Sequence, residues 1–345
     1  DSIVLHYTKS DIERFCDAIT TNTFSDIREC FGFVDKEAEK NKYDKLRDKI
    51  NATNYNAKNN ICELAYRPFD NRWTVYGSIF MDRHRSEIQK NIFGKKNIIL
   101  CLGQEGSSLG DSEWSLVYCT DKVTDTNMIP RGGIYLFPMI IYDGMLKYAN
   151  FSPDILQNIE NRIGLQLQDV EDEERKENGF LAIDLIDYIY AVLHSVTYRD
   201  TYHDFLQNDF PTIPYPASAE YFFKMAEFGK RLRYLHELKG IDRKDLITTY
   251  PVIGEKDNNV VLIHKFEETN EGIGRVWINK EQYFDGVPLE AWNMIIAGYQ
   301  PLEKWLKDRK DKHLTSDEII HYQKMVVALV KTIRTQEKID EIIEL

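Results

Sequence analysis

The sequence predicts a mixed α+β fold, with a strand-rich lobe that contains a mixed sheet at residues 61–165 and a mainly helical lobe at residues 166–345. Three observations carry this prediction: apolar and aromatic runs in the first lobe, helical periodicity in the second, and a capped final helix. Hydrophobic residues make up 43% and charged residues 29% of the 345 positions, enough for a substantial core. Two domains' worth of chain is available.

Residues 1–60 are predicted as an N-terminal helical segment that adjoins a further domain upstream, since the chain begins with Asp1 instead of methionine. The part from residue 35 to 60 is rich in Lys, Asp and Asn. Such a composition is typical of a solvated helix followed by a loop.

The strand-rich lobe is predicted from three runs of apolar, β-branched and aromatic residues bounded by Gly, Asp and Pro. They are NIILCL at 97–102, WSLVYC at 114–119 and GIYLFPMIIY at 133–142. Pro138 lies inside the third run, which indicates an edge strand or a bulge because proline cannot donate to a sheet.

The second lobe begins after an acidic run at residues 169–177, and helices dominate it. Ser152-Pro153 precedes that run and opens a helix. The stretch 184–194 is apolar nearly all round, so a buried helix is expected. A longer helix is predicted to begin after Ser218 and to end near Gly240, and strands are expected again at 259–266 and 274–278.

The C-terminal helix has the clearest sequence signal. Thr315-Ser316-Asp317-Glu318 is a capping box, in which the Thr hydroxyl and the Glu carboxylate each satisfy a backbone amide. Apolar residues follow on one helical face, which must pack within this chain or on a partner. They are Ile319, Tyr322, Val326, Leu329 and Ile333.

Several functional classes lack their motifs in this sequence. It has no P-loop, no Gly-x-Ser-x-Gly elbow, no His-Glu-x-x-His helix and no Asn/Asp-Pro-Pro-Tyr/Phe element of amino-methyltransferases. The histidines have no metal-binding spacing, so no metal site is predicted. The five cysteines form no Cys-x-x-Cys pair, and there is no signal peptide or stretch of about 20 apolar residues. These features predict a cytoplasmic protein without a membrane partner.

The net charge of −12 is uneven along the chain, because residues 72–96 and 304–312 are net basic. Four stretches are also dense in aromatic, Arg and Pro residues: 66–73, 184–216, 277–292 and 298–310. Arg72 in the first could form a structural ion pair with Asp70 or point outward to phosphate or guanine. The basic residues of the fourth could contact phosphates or form a solvated helix face.

These stretches, in this order, resemble the C-terminal target-recognition (specificity) region of type ISP-like or type IIG-like single-chain restriction–modification enzymes with a fused N6-adenine DNA methyltransferase. The most specific strings are 66–73, 187–216 and 298–310. The chain departs from the pattern at Val196, Thr212 and Asp311, which puts the geometry of those turns in doubt.

The resemblance implies recognition of double-stranded DNA, which would position it for adenine methylation and cleavage by other domains of the same polypeptide. S-adenosylmethionine, ATP and Mg²⁺ would bind to those methyltransferase, ATPase and nuclease domains, and no cofactor or catalytic residue is predicted here. Whether the fragment itself has enzymatic activity is left open.

Candidate DNA-binding residues are basic, amide or hydroxyl side chains in loops that flank predicted strands or lie in the basic stretch near the C-terminus, and we expect them to share one concave face. They are Arg72, Arg83, Arg85, Gln104, Ser107, Ser108, Arg131, Lys304, Lys307, Arg309 and Lys310.

Two alternatives remain at this point. A metal-dependent nuclease could pair Asp154 with Glu174, although Asp154 would begin a helix and Glu174 lies in a solvated charge run. A protein-interaction module could instead use Ile319, Val326 and Leu329 of the final helix to dock a partner.

Overall fold

The fold is known from a computed structural model, which describes residues 3–81, 85–104, 114–251 and 258–345. The helices are α1 (Lys9–Ala18), α2 (Phe24–Phe31), α3 (Glu37–Thr53), α4 (Ser86–Gln89), α5 (Pro153–Ile163), α6 (Ala182–His194), α7 (Val196–Thr201), α8 (His203–Leu206), α9 (Ala219–His236), α10 (Leu289–Asn293), α11 (Pro301–Lys307) and α12 (Ser316–Asp340). The strands are β1 (Ile61–Arg67), β2 (Asp70–Val75), β3 (Ile99–Gly103), β4 (Val117–Thr120), β5 (Val123–Thr124), β6 (Ile134–Pro138), β7 (Ile140–Asp143), β8 (Leu146–Ala149), β9 (Gln166–Leu167), β10 (Gly179–Phe180), β11 (Lys265–Asn270), β12 (Ile273–Trp277) and β13 (Tyr283–Pro288).

The predicted α+β class is confirmed, and so is the mixed sheet of the strand-rich lobe. In that sheet β1 pairs with β2 antiparallel and with β5 parallel. A second sheet has the order β4-β3-β6 and is antiparallel throughout. Its strands overlap the three predicted runs, although β3 and β4 each extend one residue beyond them. Pro138 ends β6 at the edge of the sheet, where a missing backbone N–H is tolerated.

The strand predicted at 259–266 is only partly present. The sheet formed by β11, β12 and β13 begins at Lys265, and before it Val260 makes an isolated bridge to His313. The amides of Leu262 and Ile263 both donate to the carbonyl of Ile278, a pattern that a regular ladder does not allow. The apolar run therefore forms an irregular segment packed beside the sheet instead of one of its strands.

Both lobes contribute to one hydrophobic core. It joins Trp114 of the first lobe to Tyr190, Phe222, Trp305 and Tyr322 of the second, all at most 2% exposed. The N-terminal helices bury a separate cluster that extends to residue 80. The predicted boundaries at residues 60 and 165 stay a prediction.

Helix α6 is the buried helix predicted at 184–194, and α9 crosses it closely. A side chain on Gly229 of α9 would begin 1.7 Å from the carbonyl oxygen of Asp187, so only glycine permits this approach. Asp187 and Arg233 form a bidentate ion pair between the helices, with Nε–Oδ1 and Nη2–Oδ2 distances of 2.7 and 2.9 Å. Both side chains are buried.

The C-terminal helix α12 begins at the predicted capping box. The Glu318 amide donates to the Thr315 hydroxyl at 3.2 Å, and the Thr315 amide donates to the Glu318 carboxylate at 3.0 Å. Val326 and Leu329 are fully buried within this chain. The apolar stripe therefore packs against the core of this chain, which leaves those two side chains unavailable to a partner.

Three histidines are buried in the part of the chain that the structure describes. Burial lowers the pKa of His6 to about 4 and that of His236 to about 3, and it holds the pKa of His194 well below the usual range. All three are therefore neutral in the folded chain near neutral pH.

We expect acid to destabilise the chain through these histidines. Below pH 6.5 the unfolded chain binds protons that the folded chain does not, so the free energy of unfolding should decrease as the pH falls from about 6.5 toward 4. Each histidine contributes up to about 1.4 kcal/mol per pH unit. Urea denaturation at several pH values measures this, and His236→Gln should make the dependence shallower. An unchanged pH dependence in that variant would contradict the explanation.

Candidate nucleic-acid interface

Three of the predicted DNA-binding residues come together around the beginning of β6. Arg85 donates from Nη1 to the carbonyl of Ile134 at 2.7 Å, and the Tyr135 hydroxyl donates to Oε1 of Gln104 at 2.9 Å. Gln104, Tyr135 and Arg131 line the same cavity of about 240 Å³. A guanidinium and an amide therefore flank one concave surface.

The sheet register explains why residues so distant in sequence meet here. Gln104 directly follows β3, whose last residue, Gly103, pairs with Ile134 at the beginning of β6. Arg131 precedes β6 in a tight turn and adopts a left-handed conformation with φ of 62°. The turn leaves the Arg131 side chain exposed at the mouth of the cavity.

Helix α11 approaches this surface from the second lobe. The Tyr299 hydroxyl donates to the carbonyl of Asn127 at 2.7 Å, and Gly298 packs so closely on Pro130 that a side chain there would begin 2.8 Å from the ring. The Lys304 ammonium lies 5.8 Å from the Tyr299 ring and 2.5 Å from Oδ1 of Asp308. Lys304 thus lies partly buried beside Tyr299, the residue that contacts the turn before Arg131.

Lys307 and Lys310 are exposed along the end of this helix and just after it. Their ammonium groups are available to solvent, while Trp305 and Leu306 of the same helix are buried. Lysines on the outer face of a docked amphipathic helix can act as phosphate contacts without disturbing the core.

Arg72 and Arg309, by contrast, point into the protein. Both contact the buried carboxylate of Asp70: Arg72 through Nε–Oδ1 and Nη2–Oδ2 at 3.0 and 2.6 Å, Arg309 through Nη2–Oδ1 at 3.0 Å. Arg309 also reaches Glu318 at 3.2 Å. Of the two alternatives that the sequence left for Arg72, the structure therefore shows the ion pair with Asp70 and not the outward position.

The surroundings of Asp70 keep it ionised. Burial by itself would raise the pKa of this carboxyl, but the charges of Arg309 and Arg72 outweigh it and hold the pKa well below its usual range. The guanidinium of Arg72 lies 3.8 Å from the Tyr7 ring, and that of Arg309 lies 3.6 Å from the Trp305 ring. With 6% and 5% exposure, neither arginine reaches the surface.

Arg83, Ser107 and Ser108 lie outside the described residues. Their proposed contacts with DNA stay predictions.

The nuclease alternative gains no support from the described ranges. Asp154 lies in the first turn of α5, and Glu174 is exposed in the acidic run. Within those ranges, no group of three or more His, Cys, Asp or Glu side chains could hold a metal ion. Among the helices that are described, none is long and apolar enough to cross a membrane.

A comparison with protein families identifies the chain as a whole. The family model described as "Type ISP C-terminal specificity domain" matches residues 1–345. The chain belongs to this family. The resemblance found in the sequence at 66–73, 187–216 and 298–310 is thereby confirmed.

Solved structures of much longer chains share this fold. The Type ISP restriction–modification enzyme LlaBIII bound to DNA matches with a TM-score of 0.63 and 17% identity, over 100% of this chain and 22% of that one. The DrdV–DNA complex matches with a TM-score of 0.67 and 18% identity, over 99% of this chain and 35% of that one. A nuclease-deletion mutant of the Type ISP restriction–modification enzyme LlaGI in complex with a DNA substrate mimic matches with a TM-score of 0.61 and 17% identity. The match covers 100% of this chain and 27% of that one.

This chain thus spans between 22% and 35% of the length of the chains that it matches. At such low identities the likeness establishes the fold alone. A comparison with curated proteins found no significant match.

Sequence reasoning missed two features of this region. Tyr135 was read only as part of a strand, yet it fixes the side chain of Gln104, and alternation along β6 places it on the exposed face. Three lysines of α3 line a cleft and were assigned to a solvated helix. Their spacing of three and four residues, Lys42, Lys45 and Lys49, was the available signal.

Proposed function

We propose that this specificity domain recognises a double-stranded DNA sequence through the major groove. The observation that carries the proposal is the meeting of Gln104 and Arg131 on one cavity at the beginning of β6. A glutamine amide pairs with the N6/N7 edge of adenine, and an arginine guanidinium pairs with the O6/N7 edge of guanine. The fold shared with three enzymes whose structures are described as DNA complexes supports it.

The remaining candidates, of which Lys304 and Arg85 are only partly exposed, would position the duplex without reading it. Lys304, Lys307 and Lys310 suit phosphate contacts, which fix the register of a protein on DNA. Arg85, bonded to the Ile134 carbonyl, would hold the beginning of β6 in place and present its remaining N–H groups to phosphate. Arg72 and Arg309 act indirectly in this proposal, by keeping β2 and the segment after α11 together.

The rest of the parent enzyme would do the chemistry. We propose that methyltransferase and nuclease domains of the same cytoplasmic polypeptide methylate adenine and cleave DNA, and that these and an ATPase domain bind S-adenosylmethionine, Mg²⁺ and ATP. An adenine held by this domain would be flipped into the methyltransferase pocket. This chain matches only part of the related enzymes, and the rest of their length is large enough for such domains.

Selection from a pool of randomised duplexes tests the recognition surface. We expect the 345-residue chain to enrich one motif, and Gln104→Ala or Arg131→Asn to relax the preference at one or two positions by roughly 5- to 150-fold, the effect of one lost bidentate base contact. Asparagine at 131 tolerates the left-handed backbone.

The controls for that selection are Gln157→Ala and Arg231→Asn, two exposed side chains of α5 and α9 that do not line the cavity. Both controls should enrich the wild-type motif. Enrichment of the same motif by Gln104→Ala and Arg131→Asn would show that base recognition lies elsewhere, and no enrichment by the wild-type chain would contradict the proposal itself.

A further inference from the structure

A second cleft, of about 260 Å³, lies between α3 and the sheet formed by β1, β2 and β5. One wall carries Lys42, Lys45 and Lys49 of α3. The facing wall includes the turn from Thr124 to Asn127, and the floor is apolar with Leu64 and Phe80.

The amphipathicity of α3 holds the three lysines on this wall. Tyr43, Leu46 and Ile50 on the neighbouring face are buried in the N-terminal core, and the Tyr43 hydroxyl donates to the carbonyl of Asn22 at 2.8 Å. Residues three and four apart share a helical face, so anchoring the apolar face fixes the direction of the lysine face. All three lysines are exposed.

The cleft is positively charged although the whole chain is acidic. In the described ranges no ion pair joins Lys42, Lys45 or Lys49 to a carboxylate. Two acidic neighbours on α3 pair with Arg47, which lies 3.4 Å from Asp44 and 3.7 Å from Asp48. Asp125 on the facing wall is paired with Arg67 at 2.8 Å. Within the described part of the chain, the three ammonium groups therefore form no ion pair that would compete with an anionic ligand.

The spacing of the lysines suits an extended polyanion. Seven residues of helix separate Lys42 from Lys49, a rise of roughly 10 Å. One strand of B-form DNA carries a phosphate about every 3.4 Å along its axis, so about three phosphates occupy that length. Ammonium groups arranged in a row match such a strand better than they match a single compact anion.

The cleft also adjoins the surface that carries Gln104 and Arg131. The turn that forms its facing wall continues from Asn127 to Arg131, four residues that span at most about 14 Å. A duplex in contact with Arg131 thus has a strand within reach of α3.

We propose that Lys42, Lys45 and Lys49 bind the phosphodiester backbone of one DNA strand beside the base-reading surface. This inference rests on the proposed function, and it gives the N-terminal helices a part in DNA binding that the sequence did not indicate.

The triple variant Lys42→Gln/Lys45→Gln/Lys49→Gln tests the inference with a 30-base-pair duplex of arbitrary sequence, because phosphate contacts do not depend on sequence. A plot of the logarithm of the binding constant against the logarithm of salt concentration should become shallower by about 2 to 3. Near 100 mM salt, affinity should fall on the order of 100-fold.

The matched control is Lys40→Gln/Lys224→Gln/Lys338→Gln, which removes the same charge from exposed helical lysines that do not line the cleft. Its slope should decrease by less than 1. Equal slopes in the two triple variants would overturn the inference while leaving the proposed function intact. If the wild-type chain fails to bind the duplex even at low salt, the proposed function fails and this inference with it.

Chemical protection gives a second readout that needs no variant. Reductive methylation of the chain followed by mass spectrometry should show Lys42, Lys45 and Lys49 protected by the duplex but not by inorganic phosphate at the same phosphate concentration. Lys40, Lys224 and Lys338 should react equally in all samples. Equal labelling of the three cleft lysines with and without duplex contradicts the proposal. Protection by inorganic phosphate alone would also overturn it, because the ligand of the cleft would then be a small anion and not a DNA strand.

Discussion

Replacing Asp70 with alanine should reduce the free energy of unfolding by about 3 to 5 kcal/mol, the usual cost of breaking a buried ion pair from one side. The carboxylate is 2% exposed and contacts both Arg72 and Arg309. Without it, the buried guanidinium of Arg72 loses its carboxylate partner, and that of Arg309 keeps only Glu318. Urea denaturation followed by circular dichroism measures the loss.

The control for Asp70→Ala is Asp35→Ala, which removes an exposed carboxylate from its ion pair with Arg28. Exposed pairs contribute at most about 1 kcal/mol, so this variant should be nearly as stable as the wild type. A loss of similar size in both variants would contradict the role of Asp70.

The effect of Asp70→Ala on stability should depend on pH in a defined way. Because the pKa of Asp70 is held below its usual range in the fold, its contribution is complete at neutral pH and is lost as the pH falls from the usual carboxyl range toward that depressed pKa. The difference in stability between wild type and Asp70→Ala should therefore be constant from about pH 8 to 5. It should decrease in strongly acidic solution.

Replacing Gly229 with alanine should destabilise the chain, although glycine to alanine inside a helix normally stabilises by up to about 1 kcal/mol. The added carbon would lie 1.7 Å from the carbonyl oxygen of Asp187, so α6 and α9 would have to separate. Overpacking of this kind costs about 1 to 3 kcal/mol or more, and the Asp187–Arg233 ion pair would be stretched as well.

Thermal unfolding of Gly229→Ala measures this effect, with Gly133→Ala as the control. A side chain at Gly133 would meet its nearest neighbour at an ordinary 3.7 Å, so that variant should unfold near the wild-type temperature. An increase in the stability of Gly229→Ala would show that the helices can separate without cost.

Local patterns allowed much of the fold to be predicted from the sequence. The runs at 97–102, 114–119 and 133–142 overlap β3, β4 and β6, and the Thr315–Glu318 box begins α12. Each of these signals depends on neighbours within a few residues. The run at 259–264 was wrongly predicted as a strand, because its backbone amides donate to the carbonyls of Lys312 and Ile278. The local sequence does not identify these partners.

The candidate site was harder to predict because it depends on long-range contacts. Arg309 pairs with Asp70 across 239 positions, so its basic neighbourhood gave no sign that it turns inward. Gln104 and Arg131 meet only because β3 pairs with β6. The cleft lysines belong to a helix whose buried face depends on the packing of the N-terminal core.

The central claim is that this specificity domain recognises a DNA sequence, and the ratio of two affinities tests it most directly. The duplex enriched by selection and a scrambled duplex of the same base composition would be titrated with the chain at physiological salt. Recognition predicts that the enriched duplex binds at least about 1,000-fold more tightly. Equal affinities for the two duplexes would contradict sequence recognition and leave only non-specific attraction to phosphate.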